Sequence, residues 1–347
     1  MMHTRTGFGI VGCGSISAIH AAAIARLPQA YLAGMVDTNI AYAQAAAQRH
    51  GTRAYHTVEE LLADKAVDIV SLCTPSGLHA QQALQALHAG KHVVVEKPLA
   101  LTLADADAVI EAAQRNGRQV CVISQLRYAP TVQAVRRALA AGQLGRVVSV
   151  QLTMNYWRDE EYYTSSSWRG TWAMDGGGAL MNQGIHGVDL MQYLLGPVRR
   201  VSAFCKTQTR PMETEDSAVA ILEFASGAVG TLQASTTCYP GYARTLTICG
   251  DKGSLELTED TITRWDAPGH MPESDSHVHG AASDPTALNI ARHEMQFSNL
   301  LASLKGEERL LSDAREGRKP LEIILAVYQS AREGRQVDIC PAPEIAP

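Results

Sequence analysis

The stretch Thr6-Gly7-Phe8-Gly9-Ile10-Val11-Gly12-Cys13-Gly14-Ser15-Ile16-Ser17 decides the fold of this 347-residue chain. Its apolar first half predicts a buried strand, and residues 16–27 that follow are Ala-rich with helical spacing. Between them, Gly12 permits a sharp turn and Gly14 permits close approach of the backbone to a ligand. We therefore expect a strand, a glycine turn and a helix.

Short apolar runs and helix-like segments alternate from this stretch to about residue 124. The apolar runs are residues 8–11, 31–36, 68–73, 92–95 and 119–123, and the helix-like segments are residues 16–27, 40–50, 79–88 and 104–116. Continuous apolar strands that alternate with helices indicate a parallel sheet covered on both faces. We predict one α/β domain over residues 1–125.

The glycine turn and an acidic residue together indicate the ligand of this domain. The start of a helix at Ser15 and Ile16 would offer free N–H groups to a pyrophosphate. Asp37 ends the second predicted strand, 25 residues after Gly12, where a carboxylate can accept both ribose hydroxyls and repel a 2′-phosphate. The sequence therefore predicts a Rossmann domain that binds NAD in preference to NADP.

After about residue 145 the pattern changes to strands joined by short turns. The strand-like runs are residues 147–155, 198–207, 218–224, 228–235, 245–248 and 254–257. Residues 225–227 and 251–253 have the composition of hairpin turns. We predict an α+β domain with a mostly antiparallel sheet over residues 126–347.

Two segments carry groups suited to proton transfer. Lys97 lies between an apolar strand and Pro98, where a partly desolvated ammonium can hold a hydroxyl. His186 and Asn182 lie four residues apart in a segment that is helical from Ala179, so they share one face. A histidine titrates near neutrality and can accept a hydroxyl proton as hydride leaves.

These motifs together resemble the glucose-fructose oxidoreductase / inositol dehydrogenase / rhizopine catabolism (Gfo/Idh/MocA) family across essentially the whole chain. The motifs are GxGxxS (12–17), Cys-Thr-Pro-x-x-x-His (73–79), Glu-Lys-Pro (96–98), Arg-Tyr-x-Pro (127–130) and the glycine, Asn and His segment 176–190. The resemblance implies an open-faced sheet in the second domain, used for substrate binding and for packing into a homo-dimer or homo-tetramer. It also implies a cis peptide bond before Pro98.

The resemblance, with the strand-end positions, gives the candidate site residues. We expect Lys97, His186 and Asn182 to be catalytic; many family members carry Asp where this chain has Asn182, so the base role falls on His186. The expected cofactor-binding residues are Gly12, Gly14, Ser15, Ile16, Asp37, Thr74, Pro75, His79, Glu96, Lys97 and Gln125. The expected substrate-binding residues are Arg127, Tyr128, Tyr156, Arg158, Arg169, Trp172, Asn182 and His186.

One loop suggests the substrate. Aromatic residues make up 5% of the chain, yet six fall between Tyr156 and Trp172, interleaved with Arg158 and Arg169. Rings stack on sugars or uracil, and arginines bind carboxylates or diphosphates, although the same residues could instead bury a sheet face or an oligomer interface. The loop also resembles a subgroup, the UDP-N-acetyl-2-amino-2-deoxyglucuronate 3-dehydrogenases. That resemblance implies oxidation of a sugar C3 hydroxyl, with 2-oxoglutarate as a possible hydride acceptor.

Composition excludes several other classes. A net charge of −5 argues against a nucleic-acid surface, and no apolar run approaches the length that spans a membrane. Seven scattered cysteines favour a reduced, cytoplasmic protein. We expect no metal site, because Asp275, His277 and His279 lie in a short polar stretch without a fourth ligand.

Two alternatives remain open at this point. The enzyme could act on an inositol or could oxidise a simple glycoside at C3. A protein of another class, a sensor of NAD or sugar, could keep this fold without catalysis. The presence of both Lys97 and His186 favours the enzyme.

Overall fold

The computed structural model describes residues 5–272 and 290–339 of the chain. They form two compact units, which divide after Gln125 and again after Arg318. The first unit contains residues 5–125 and 290–318, and the second contains 126–272 and 319–339.

The first unit is a six-stranded, fully parallel sheet in the order β3-β2-β1-β4-β5-β6. Its strands are β1 (Thr6–Val11), β2 (Ala30–Val36), β3 (Arg53–Tyr55), β4 (Ile69–Leu72), β5 (His92–Val95) and β6 (Val120–Val122). Its first helices are α1 (Ser15–Ala25), α2 (Ile40–His50), α3 (Val58–Ala63), α4 (His79–His88) and α5 (Leu103–Arg115). The α/β domain predicted from the alternating pattern is confirmed, and β1 lies at its centre.

The second unit is built on an eight-stranded sheet in the order β13-β12-β11-β7-β10-β9-β8-β14. Its helices are α6 (Pro130–Ala140), α7 (Glu160–Thr164) and α8 (Ile185–Leu195). Its strands are β7 (Val147–Asn155), β8 (Val198–Lys206), β9 (Ser217–Phe224), β10 (Val229–Ser235), β11 (Thr245–Gly250), β12 (Ser254–Thr258), β13 (Thr261–Asp266) and β14 (Val337–Asp338). Only β7 and β10 pair in parallel, so the predicted mostly antiparallel sheet is confirmed.

One segment lies elsewhere than the sequence analysis placed it. Helix α9 (Ile290–Leu304) falls within residues 126–347, the predicted second domain, but belongs to the first unit. Its Phe297 and Leu300 are fully buried in one cluster with Phe8 and Ile24 of the parallel sheet and α1. Apolar residues of α9 thus complete the core of the first unit, a long-range contact that sequence periodicity cannot show.

Helix α10 (Ala314–Glu333) contains Pro320. A membrane-spanning helix is not among the helices of the described residues.

Candidate active site

The glycine turn after β1 requires a glycine at its first position. Gly12 has a φ of 91°, and a Cβ atom there would lie 2.7 Å from the carbonyl oxygen of Cys73. Its N–H donates to the carbonyl of Val36 at 2.9 Å. Gly12 therefore turns the chain sharply against the end of β4, as the sequence predicted.

Gly14 has room for a side chain that it does not carry. Its φ and ψ of −74° and −171° suit any residue, and a Cβ atom there would meet no atom within 4 Å among the described residues beyond its chain neighbours. It precedes the first turn of α1, whose N–H groups favour an anion. The space and the helix terminus together fit the pyrophosphate of a dinucleotide.

Asp37 holds the turn and follows β2. One carboxylate oxygen, Oδ2, accepts the N–H of Cys13 at 2.8 Å, and Oδ1 accepts the N–H of Asn39 at 2.8 Å. Burial and the nearby Asp37 raise the pKa of Cys13 to about 12. Cys13 is therefore a neutral packing residue and not a nucleophile.

The predicted Lys97 turn is tied to a buried ion pair. The Lys97–Pro98 peptide bond is cis, as expected. The Glu96 carboxylate accepts the N–H of Lys97 at 3.2 Å, and its other oxygen lies 3.0 Å from Nε2 of His20 on α1. Burial acts to lower the pKa of His20, but Cys73 and Glu96 beside it raise the value to about 10.

The His20–Glu96 pair also belongs to a cluster of side chains of the kinds that bind metal ions. Ligand atoms of His20, Glu96 and His293 all lie within 4.8 Å of one another. Burial opposes ionisation of Glu96, yet His20 and Lys97 lower its pKa below the usual range. Glu96 already accepts the N–H of Lys97 and contacts His20 at 3.0 Å, so we interpret this cluster as an ion pair that positions the turn. Asp275, His277 and His279 lie outside the described residues.

Other predicted cofactor residues lie around the ends of β4 and β6. Buried His79 lies between the carbonyls of Pro98 and Thr74, at 2.7 and 2.9 Å, and burial lowers its pKa. The hydroxyl of Thr74 donates to Gln82 at 2.6 Å. His79 thus joins two strand-end turns through backbone contacts. The side-chain oxygen of Gln125 is buried without a hydrogen-bond partner among residues 5–272 and 290–339, so a cofactor amide could donate to it.

The segment that carries the other two predicted catalytic residues is a helix of an unexpected kind. Residues Ala179–Gly184 form a π-helix, and α8 follows from Ile185. The sequence predicted a single regular helix from Ala179. Asn182 lies in the π-helix and His186 in the first turn of α8, and both are half-buried. π-Helical turns occur frequently at functional sites.

Glu215, which the sequence analysis did not single out, holds the start of the π-helix. Its carboxylate accepts the N–H of Gly178 at 3.0 Å, the N–H of Leu180 at 2.8 Å and the hydroxyl of Tyr328 at 2.8 Å. Burial raises the pKa of Glu215, although these N–H donors act to lower it. No spacing in the sequence links residue 215 to residue 178, so only the folded chain reveals the contact.

A second acid, Asp175, lies just before the glycine, Asn and His segment. One carboxylate oxygen accepts the N–H of Gly170 at 2.9 Å, and the other accepts the side-chain amide of Asn182 at 2.6 Å. A buried carboxylate therefore lies one hydrogen bond from Asn182, although residue 182 itself is an amide.

The predicted substrate residues separate into buried and accessible groups. Arg127 is fully buried, with an ion pair to Asp189 at 2.6 Å, and its predicted contact with substrate stays a prediction. The other buried members are Tyr128, Tyr156 and Arg158. Arg158 bonds to Gln183 at 2.8 Å, while Arg169 stacks on Tyr162 at 4.2 Å. Trp172 is the accessible ring, 47% exposed.

Comparison with known proteins shows the family. Residues 6–124 match the oxidoreductase family with an NAD-binding Rossmann fold, and residues 132–256 match the GFO/IDH/MocA C-terminal domain. The chain belongs to the GFO/IDH/MocA oxidoreductase family. It is an NAD-dependent dehydrogenase, which confirms the predicted enzyme class and cofactor.

Three relatives illustrate the likeness. The WlbA dehydrogenase from Bordetella pertussis, solved with NADH and UDP-GlcNAcA, is 34% identical, with a TM-score of 0.89 over 99% of this chain and 100% of that one. D-apiose dehydrogenase from Paraburkholderia graminis is 28% identical over 95% of this chain and 88% of its own length. D-glucoside 3-dehydrogenase from Escherichia coli is 25% identical over 95% and 96%.

Proposed function

We propose that this dehydrogenase oxidises the C3 hydroxyl of a UDP-linked N-acetylamino-uronate. The observation that carries the proposal is the likeness, over nearly the whole chain, to a dehydrogenase solved with UDP-GlcNAcA. The arginines and aromatic rings between Tyr156 and Trp172 support it, because a charged nucleotide-sugar needs such anchors and a free inositol does not.

The proposed reaction uses a base and a group that orients the hydroxyl. Bound NAD would accept hydride at the nicotinamide C4 from the sugar C3, and C3 would become a carbonyl carbon. His186 takes the hydroxyl proton, and the Lys97 ammonium orients the hydroxyl oxygen. Asn182, bonded to the Asp175 carboxylate, would position the same hydroxyl. Distant parts of the substrate are anchored so that the reacting atoms stay aligned.

The test measures absorbance at 340 nm with a panel of substrates. UDP-GlcNAcA, its counterpart without the uronate carboxylate UDP-GlcNAc, free inositol and simple glucosides are compared, each with and without 2-oxoglutarate. We expect the uronate to give the highest kcat/KM, and His186→Ala to lower kcat about 10²- to 10⁴-fold while NADH affinity is kept. Faster oxidation of inositol or a neutral glucoside would refute the substrate.

A glycoside oxidised at C3 is the second candidate. The likeness to D-glucoside 3-dehydrogenase covers almost the whole chain, although at 25% identity. Neutral glucosides in the same panel test this alternative directly.

We also propose that the protein forms a homo-oligomer through the outer face of the second sheet. Phe204 is 77% exposed, and Val219 lies directly opposite it on β9. Ile221 and Val229 extend this exposed apolar face. Such a face favours burial against a second copy of the same sheet. Light scattering should show a dimer or tetramer, and Phe204→Lys should shift it toward the monomer.

A further inference from the structure

Two aromatic rings lie just beyond the ends of the parallel strand pair in the second sheet. Strands β7 and β10 end together, with Asn155 opposite Ser235, and a backbone bridge joins Trp157 to Thr237 beyond them. The ring of Tyr239 meets the Trp157 ring edge-on, with centroids 5.1 Å apart at 87°. Tyr239 is 74% exposed, so its ring is largely open to solvent.

Arg210 covers the other ring. Its guanidinium carbon lies 4.5 Å from the Trp157 ring centroid. Its Nε and Nη2 atoms are buried and have no hydrogen-bond partner in the described part of the chain. A partly desolvated guanidinium without a paired carboxylate favours binding of an oxyanion.

The loop that carries Arg210 is held in place by one buried acid. The Oδ2 atom of Asp216 accepts the backbone N–H groups of Gln208, Thr209 and Arg210, at 2.9, 2.7 and 3.2 Å. The acid thus holds the backbone of the loop while the Arg210 guanidinium lies on Trp157. The loop therefore presents a fixed positive charge beside the two rings.

Hydrogen bonds connect this cluster to the candidate catalytic segment. Arg158 donates to the carbonyl of Trp157 at 2.7 Å and to the side chain of Gln183 at 2.8 Å. Gln183 in turn donates to the side chain of Asn182 at 3.2 Å. The rings and Arg210 therefore adjoin the residues expected to meet the reacting hydroxyl.

We propose that Trp157, Arg210 and Tyr239 form a nucleotide subsite that binds a nucleoside diphosphate group. The base stacks on the open Tyr239 ring, and Arg210 binds an oxygen of the diphosphate. This inference rests on the proposed function for its ligand class. It adds Arg210 and Tyr239, which the sequence analysis did not place in the site, whereas predicted Tyr156 and Arg158 are buried.

The experiment titrates the NADH-saturated protein with UDP, uridine and inorganic pyrophosphate in a calorimeter. Tyr239→Ala removes the exposed ring, Arg210→Gln removes the charge, and Tyr242→Ala, a nearby tyrosine that is 58% exposed, is the matched control. We expect Tyr239→Ala to weaken UDP and uridine about tenfold, the usual effect of losing one stacked base. Arg210→Gln should weaken UDP and pyrophosphate at least as much and leave uridine unchanged.

Several outcomes would overturn the subsite. They are no UDP binding by the wild-type protein, unchanged UDP affinity in both variants, or an equal loss in Tyr242→Ala. Turnover of UDP-GlcNAcA separates this inference from the proposed function. UDP binding that depends on these residues, without oxidation of any UDP-sugar, would leave the subsite standing and remove the proposed substrate. If the protein oxidises UDP-GlcNAcA and neither substitution alters the rate, the proposed substrate stands and the subsite is wrong.

Discussion

Alanine at Gly12 and alanine at Gly14 should have different effects, although the two glycines are only two residues apart. At Gly12 the backbone has a φ of 91°, and a Cβ atom would approach the Cys73 carbonyl oxygen to 2.7 Å. Such a conformation costs a non-glycine residue about 1–3 kcal/mol before the steric clash is added. Gly12→Ala should therefore lower Tm by about 2–4 °C per kcal/mol, and weaken NADH binding as well.

At Gly14 the described residues leave room for a methyl group. Its backbone angles are ordinary, and a Cβ there would lie more than 4 Å from every described atom beyond its chain neighbours. Alanine is a poorer N-cap than glycine but restricts the unfolded chain, so the free energy of unfolding should change by less than about 1 kcal/mol. A methyl group that displaces a phosphate oxygen from one N–H would weaken NADH about 10- to 100-fold.

The assay pairs thermal unfolding of the NAD-free protein with fluorescence titration of NADH. Gly14→Ala should keep the Tm and lose NADH affinity, whereas Gly12→Ala should lose both. If Gly14→Ala binds NADH as tightly as the wild-type protein, the dinucleotide does not approach this helix terminus, and our placement of the pyrophosphate is wrong.

Three further predictions concern charged groups in the first and second units. The wild-type protein should bind NAD at least about tenfold more tightly than NADP, measured as the ratio of the two dissociation constants, and Asp37→Ser should reduce this ratio. Equal affinities for NAD and NADP in the unmutated protein would contradict the assignment. Arg127→Ala should cost about 3–5 kcal/mol in urea unfolding, because it leaves the Asp189 carboxylate buried alone. The pKa of His20 is raised in the folded protein, so its charged form stabilises the fold fully below the ordinary pKa of 6.5. This stabilisation is lost as the pH rises toward about 10. The Tm difference between the wild-type protein and His20→Gln should therefore shrink from pH 7 to pH 9.5, and a constant difference would exclude a charged His20.

The sequence was most informative where structure is local. Strand β7, helix α2 and strand β5 have the bounds predicted from apolar runs and helical spacing. Gly12 was identified because a turn between strand and helix needs a positive φ, a property of one residue and its neighbours.

Prediction failed where the contact partners are far apart in the chain. Glu215 bonds to residues 178, 180 and 328, and α9 belongs to the first unit although residues 126–272, which precede it, lie in the second. The sequence also did not reveal which individual polar residues are buried. Arg127 and Arg158 have the composition of an anion site, but the fold places them inside, whereas Arg210 lies on the ring of Trp157.

The candidate groups lie outside regular strands, and hydrogen bonds of the same kind hold their segments in place. In each segment a carboxylate accepts backbone N–H groups, which fixes the loop without using the side chain that the loop presents. Glu96 accepts from Lys97, Glu215 from Gly178 and Leu180, and Asp216 from Arg210; Asp37 holds the glycine turn in the same way. Hydrogen bonds to an ionised acceptor are stronger than neutral ones, and the backbone N–H groups of turns and helix starts are available to form them. The chain thus positions Lys97 and Arg210 through their backbone N–H groups.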